Sequence, residues 1–269
     1  MIQFRDLVNA LRELSLDGTQ LAIAHASLSA FRHVQGGSET VVGALLSVTD
    51  GLIMPTFTYR TMLTPESGPP GNGISYGSGT DTNLLTEFYR ADMPADPLMG
   101  VVAEALRQHP QAQRSKHPIY SFAGVDAEDV LNAQSLAEPF APVGVLTESQ
   151  GVVLLLGVDQ TSNTSIHYGE QLAGRKQFIR WALTPKGVQE CPRWPGCSHR
   201  FEAILPKLDI YTSKTQIGNA QVQLIPLTML IRTVIELIKQ NPLALLCNQS
   251  NCQRCQAVGR SPGSIGKAP

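Results

Sequence analysis

Five consecutive apolar residues, Val152 to Leu156, closed by Gly157, limit what this chain can fold into more than any other stretch does. A strand with one wet face alternates apolar and polar residues, whereas a run that is apolar throughout is buried on both faces. Such burial needs helices above and below the sheet, so the run predicts a parallel strand inside an α/β fold. The polar, turn-rich DQTSNT at 159–164 follows, then a segment of helical character carrying His167 and Glu170. Ligands of open α/β sheets bind beyond the carboxyl ends of such strands, where these two residues stand. Three apart, they share a helix face. An imidazole near neutrality can take a proton from an amine or hydroxyl, and a carboxylate can orient it or hold a cation. Spacing alone fits an ordinary helix start with an exposed His and Glu, the commoner reading of such a pair.

The flanking stretches supply the other layers. Residues 2–14 place Leu7, Leu11 and Leu14 on one stripe, with Gly18 as the stop. Residues 20–24 read as a strand that delivers His25 and Ser27. Gly36 and Gly37, with Ser38 as N-cap, then open a helix carrying Val41, Val42, Leu45 and Leu46. A strand, a glycine pair and a capped helix favour an anion, although tight turns use the same residues. A second strand at 51–54 ends in polar groups as far as Tyr59, and the Gly- and Pro-rich stretch 64–82 is a long loop. The helix at 98–108 is expected to turn Val101, Val102, Ala105 and Leu106 inward, with Glu104 on its flank. RSKHP at 114–118 groups cationic side chains and a hydroxyl suited to a phosphate, or forms a solvated turn. Residues 120–124 read as strand, 126–135 as helix, 141–144 as turn, 178–183 as strand and 225–239 as a long helix with Pro226 in its first turn.

With 42% hydrophobic residues over 269 positions, one large α/β domain over residues 1–258 is expected, followed by a flexible tail at 259–269. A net charge of −1 and the absence of a Lys/Arg run give no basis for nucleic acid or an anionic membrane as partner. The apolar stretch 224–246 is broken by Pro226, Arg232, Glu236, Lys239 and Pro242, which argues a core helix rather than a membrane span. An amphipathic first segment in place of a secretory signal predicts a cytoplasmic protein. The cysteines are Cys191, Cys197, Cys247, Cys252 and Cys255, spaced C-x5-C and C-x4-C-x2-C. Free structural thiols are the first reading, a structural zinc the second and disulfides the third. None has the setting of a nucleophile.

Several motifs, in order, carry a resemblance. They are HASL at 25–28 through VQGG at 34–37, LIMPTF at 52–57, Glu104 within GVVAEALR, RSKHP with SFA at 121–123, and LLLGV with NTSIHYGE up to Glu170. Over roughly residues 5–175 the chain resembles the aminoglycoside 3-N-acetyltransferase family. The resemblance implies a three-layer α/β/α sandwich around a mixed central sheet, distinct from the small general N-acetyltransferase fold. It implies transfer of an acetyl group from acetyl-CoA to the 3-amino group of 2-deoxystreptamine aminoglycosides, with antibiotic resistance as the outcome. Other readings are acetylation of another amine metabolite, or CoA binding without turnover. His167 matches the family's base and Glu104 the carboxylate paired with it, while Glu170, Thr164 and Tyr59 fall on the substrate side. CoA would lie along His25, Ser27, Leu28, Val34, Gly36, Gly37 and Thr40. Arg114, Ser115, His117, Ser121 and Phe122 would stand near its pantetheine and phosphates. Arg32 departs from the family, which usually has glycine there, and would face those phosphates or force a different turn. A monomer or homodimer is expected.

Overall fold

The computed structural model describes residues 1–77 and 83–260. Its strands, in chain order, are β1 (Leu21–Ala26), β2 (Gly51–Pro55), β3 (Met62–Leu63), β4 (Gln113–Arg114), β5 (Phe122–Val125), β6 (Val152–Leu156), β7 (Phe178–Thr184), β8 (Gly187–Trp194), β9 (Ser213–Ile217) and β10 (Ala220–Pro226). Seven of them form one sheet in the order β4-β5-β2-β1-β6-β10-β9, and β3-β7-β8 form a smaller one. β1 runs parallel to β2 and β6, whereas β5 and β10 run antiparallel to their neighbours, so the large sheet is mixed.

The apolar run is β6, and it is buried at every position. Val153 and Leu155 enter a core shared with Ile166, Leu227, Leu230 and Val234. Leu154 and Leu156 enter the opposite core with Leu7, Leu11, Leu45 and Leu106. Each fully buried Val or Leu contributes about 1.5–3 kcal/mol. The helices Phe4–Glu13, Gly37–Leu46 and Gly100–Gln108 cover one face, and Ala141–Glu148, Ser165–Leu172 and Leu227–Gln240 the other. This is the expected three-layer α/β/α sandwich.

Several local expectations are corrected. The N-cap at the glycine pair is Gly36, at φ 79°, rather than Ser38. A side chain at Gly36 would collide with the Thr40 hydroxyl. Val101 is 56% exposed and Ala103 is buried, because the buried stripe runs through Val102, Ala103 and Leu106. Residues 141–144 are the first turn of the helix Ala141–Glu148, where Pro142 sacrifices no hydrogen bond. Ile225 and Pro226 close β10, and the long helix begins at Leu227 with Pro226 as its N-cap. The strand expected at 120–124 is Phe122–Val125, and the helix expected at 126–135 is Glu128–Asn132. β8 and β9 carry mostly exposed residues and so have no apolar period to read. Gly259 closes the helix Gln253–Gly259, so the tail does not begin there. Residues 261–269 of that tail, and 78–82 of the long loop, lie outside the described residues. No described helix is long and apolar enough to cross a membrane.

The helix bearing His167 packs on Leu227–Gln240 through Gly169, where an added Cβ would stand 2.7 Å from Val234 Cβ. Val234 is β-branched and fully buried, so it cannot swing aside. Gly169→Ala is therefore expected to destabilise the fold by about 1–3 kcal/mol, read from the urea midpoint.

Candidate active site

β2, β1 and β6 end on the same edge of the sheet. After β1 the chain crosses to the face of Gly37–Leu46, and after β6 it crosses to the opposite face, where Ile166 of Ser165–Leu172 is buried. The connections part between β1 and β6, and a crevice opens where they do so. A cavity of about 360 Å³ occupies it, lined by His25, Met54 and Pro55 from the strand ends and by Asn163, Thr164 and His167 beyond β6.

His167 borders this cavity with only 10% of its side chain exposed. Its Nδ1 lies 2.7 Å from Glu170 Oε2, the i,i+3 spacing of the helix bringing the two together. Glu170 is 1% exposed. A buried carboxylate costs several kcal/mol unless it is paired. The Arg175 Nη1 donates to its Oε1 at 2.7 Å. The other end of that guanidinium donates to the carbonyls of Ala244, at 2.6 Å, and Pro242, at 3.0 Å. With Glu170 held as an anion, His167 carries its proton on Nδ1, which leaves Nε2 as the basic atom. Phe201 meets the imidazole edge-on at 4.8 Å between ring centroids and fixes its plane.

Opposite stands His25, whose burial lowers its pKa from 6.5 to about 3 and keeps it neutral. Thr164 Oγ1 is 3.5 Å from its Nε2. Tyr59 lines the same cavity; burial, reinforced by Asp96, raises its pKa and keeps the phenol protonated. Tyr120, stacked on Trp194 at 4.7 Å and packed against Phe57, completes an aromatic wall. None of the described lining residues is an acid.

The structure thus unites His25, Tyr59, Thr164 and His167, with Glu170 behind His167. Glu104 is not the partner of His167: its oxygens accept from Arg107 at 2.6 and 2.9 Å, from Gln108 at 2.8 Å and from the Ala95 N–H at 3.0 Å. Nor does Glu170 offer a free carboxylate to a substrate, since both oxygens are engaged.

The RSKHP stretch serves the fold. Arg114 donates to the carbonyls of Ala91, Met93 and Thr56 and to Ser121 Oγ. Ser115 accepts from the Phe122 N–H, and His117 Nδ1 accepts from the N–H groups of Ile119 and Tyr120. Ser121 and Phe122 are fully buried. Arg114, Ser115, His117 and Ser121 thus make internal hydrogen bonds and Phe122 lies in the core, whereas Lys116 is exposed.

The remaining residues of the expected CoA track are spread out. Gly36 and Thr40 line a groove with Arg5 and Gln35, whereas Ser27 lines another with Gly157 and Asp159. Leu28 opens a short 3-10 helix, and Val34 is a buried bridge partner of Ile2. Gly37, at φ 62°, starts the helix beside Gly36. Arg32 sits at φ 65°, ψ −71°, in a γ-turn closed by the His33 N–H on the Phe31 carbonyl at 2.9 Å. That conformation is strained for a residue with a side chain. Its guanidinium is bonded by Asn219 once the amide oxygen faces it, at 2.7 and 3.2 Å. Residue patterns missed Arg175, Phe201 and Trp194. Arg175 is five positions beyond Glu170, off any helical register, and the other two come from the poorly patterned C-terminal third.

A family model described as aminoglycoside 3-N-acetyltransferase matches residues 23–239. The aminoglycoside N(3)-acetyltransferase IX of Micromonospora chalcea is 31% identical over 187 residues, 64% of this chain and 63% of that protein. The match therefore spans less than two thirds of that relative's length. The aminoglycoside N(3)-acetyltransferase III of Salmonella sp is 31% identical over 206 residues, covering 71% of this chain and 69% of its own. Among solved structures, aminoglycoside acetyltransferase AAC(3)-IVa superposes with a TM-score of 0.77 at 23% identity, over 96% of each chain. The YokD protein from Bacillus subtilis does so at 0.78 and 22% identity, over 90% of this chain and 95% of its own.

Burial lowers the pKa of His117 to about 4, as it lowers that of His25 to about 3. Unfolded, each takes up a proton as pH drops below its ordinary 6.5. Their contribution to stability is thus complete above that pH and lost as pH falls toward the folded values. Urea midpoints followed downward from neutrality should show a loss approaching ~1.4 kcal/mol per pH unit for each histidine. His25→Gln should remove the share belonging to His25.

Proposed function

The chain belongs to the aminoglycoside 3-N-acetyltransferase family, and from that premise we propose that it transfers an acetyl group from acetyl-CoA to the 3-amino group of a 2-deoxystreptamine aminoglycoside. The observation that carries this reading is the His167–Glu170 pair, 2.7 Å apart, at a cavity beyond the ends of parallel strands. An ammonium is not a nucleophile, so the acceptor must lose a proton to attack. Once that proton has gone to solvent, the neutral amine attacks the thioester carbonyl and His167 Nε2 takes a second proton from its nitrogen as the C–N bond forms. The imidazolium charge is stabilised by Glu170 on Nδ1, and the proton returns to the leaving sulfur as the C–S bond breaks. Acetyl-CoA supplies the activated acyl carbon. Arg5, Gln35, Gly36 and Thr40, at the start of Gly37–Leu46, form a polar and cationic groove whose chemistry fits the phosphates of CoA. A donor of this kind supports a cytoplasmic setting for the activity.

One observation favours a second acceptor class. A polycationic aminoglycoside is best held by carboxylates, and none is found among the described cavity-lining residues, which suits a less charged amine. A CoA-release assay with a panel of aminoglycosides and simple amines decides between them. Release with aminoglycosides supports the first reading, and release only with weakly charged amines supports the second. CoA binding without release for any acceptor overturns both. His167→Ala is expected to lower turnover by about 10²–10⁴-fold while CoA affinity stays within a few-fold. Glu170→Gln should impair turnover in the same direction, and Glu104→Gln should cost stability without removing the base.

A further inference from the structure

Four of the five cysteines converge although the sequence scatters them. Cys197 lies in the loop after β8, Cys247 after Leu227–Gln240, and Cys252 and Cys255 at the start of Gln253–Gly259. Their Sγ atoms all lie within 4.8 Å of one another. Sulfurs around a tetrahedral zinc, at about 2.3 Å from the metal, stand roughly 3.8 Å apart. A disulfide would need about 2.0 Å, and all five cysteines are free. Two backbone N–H groups point at the cluster: His199 N is 3.5 Å from Cys197 Sγ, and Cys247 N is 3.4 Å from Cys255 Sγ. Such donors stabilise negative sulfur, the form that binds metal. The fifth thiol, Cys191, stands apart and donates to the Gln189 carbonyl at 3.7 Å.

We propose that Cys197, Cys247, Cys252 and Cys255 hold one structural Zn²⁺. Four thiols would release four protons on binding it, and the all-sulfur set excludes magnesium and calcium. Arg200 bonds Asn248 Oδ1 at 2.6 Å, and Arg254 bonds the Gly196 carbonyl at 2.8 Å, bracing the ligand-bearing segments. The metal would tie together the two segments behind Glu170. Gly196, beside Cys197, is close enough that an added Cβ would lie 3.8 Å from Glu170 Oε2. Ala244, three residues before Cys247, accepts from Arg175. The zinc site stands whether or not the chain transfers acetyl groups.

The test is elemental analysis of the full chain purified without chelators. One zinc per chain is expected, with thiolate-to-metal charge-transfer absorption after exchange for cobalt(II). The Cys252→Ser/Cys255→Ser double variant should lose the zinc and become faster to cleave by protease within residues 245–260, while Cys191→Ser keeps the full complement. Substoichiometric zinc with every thiol titrating in the native protein overturns the proposal. So does iron in place of zinc, a disulfide among the four, or zinc retained by the double variant.

Discussion

A carboxylate sealed from water governs the arrangement of this molecule. Glu170 is 1% exposed, yet it must be ionised to polarise the imidazole beside it. Arg175 makes that state tenable, and Arg175 is itself held by two carbonyls from residues 242 and 244. The chain of bonds therefore runs from the C-terminal segment through a guanidinium and a carboxylate to the ring that borders the cavity. Removing any member would strand a charge in a low-dielectric interior, where an unpaired ion is far costlier than a broken surface pair.

The sheet decides where that ring points. Because the connections after β1 and β6 go to opposite faces, the crevice between them is open, and the residues just past each strand meet across it. His25 arrives from β1 and His167 from the helix after β6. Their surroundings differ sharply: His25 has only a distant hydroxyl and is kept neutral by burial, whereas His167 has a bonded carboxylate. One imidazole is thus equipped to bear a transient positive charge and the other is not. The smaller sheet and the segment after it bring Trp194 against Tyr120 and Phe201 against His167, so aromatic rings back two of the cavity-lining side chains without adding charge.

Burial and hydrogen bonding also separate residues that sequence treats alike. Glu104 and Glu170 are both acids on helix flanks, but Glu104 is spent on Arg107, Gln108 and a backbone N–H, and Glu170 on His167 and Arg175. Arg114 has the chemistry of a phosphate ligand, and in this fold it gathers the carbonyls of Thr56, Ala91 and Met93. A side chain's reactive potential was legible; how its hydrogen bonds were already used was not.

The residues alone determined the layering. A run apolar at every position can only sit between two layers, and Val152 to Leu156 does so, alternating between the two cores. The i,i+3 spacing of His167 and Glu170 placed them on one helix face, because that relation is local. Tertiary structure decided what spacing could not: that Glu170, rather than Glu104, pairs with His167, and that Arg175 holds Glu170 charged. It also decided that Cys197, from the loop after β8, meets Cys247, Cys252 and Cys255 within 4.8 Å. Arg175 is fixed by the carbonyls of residues 242 and 244, and Cys197 reaches the cysteines of residues 247–255, through contacts between segments distant in the chain that no period within one segment encodes.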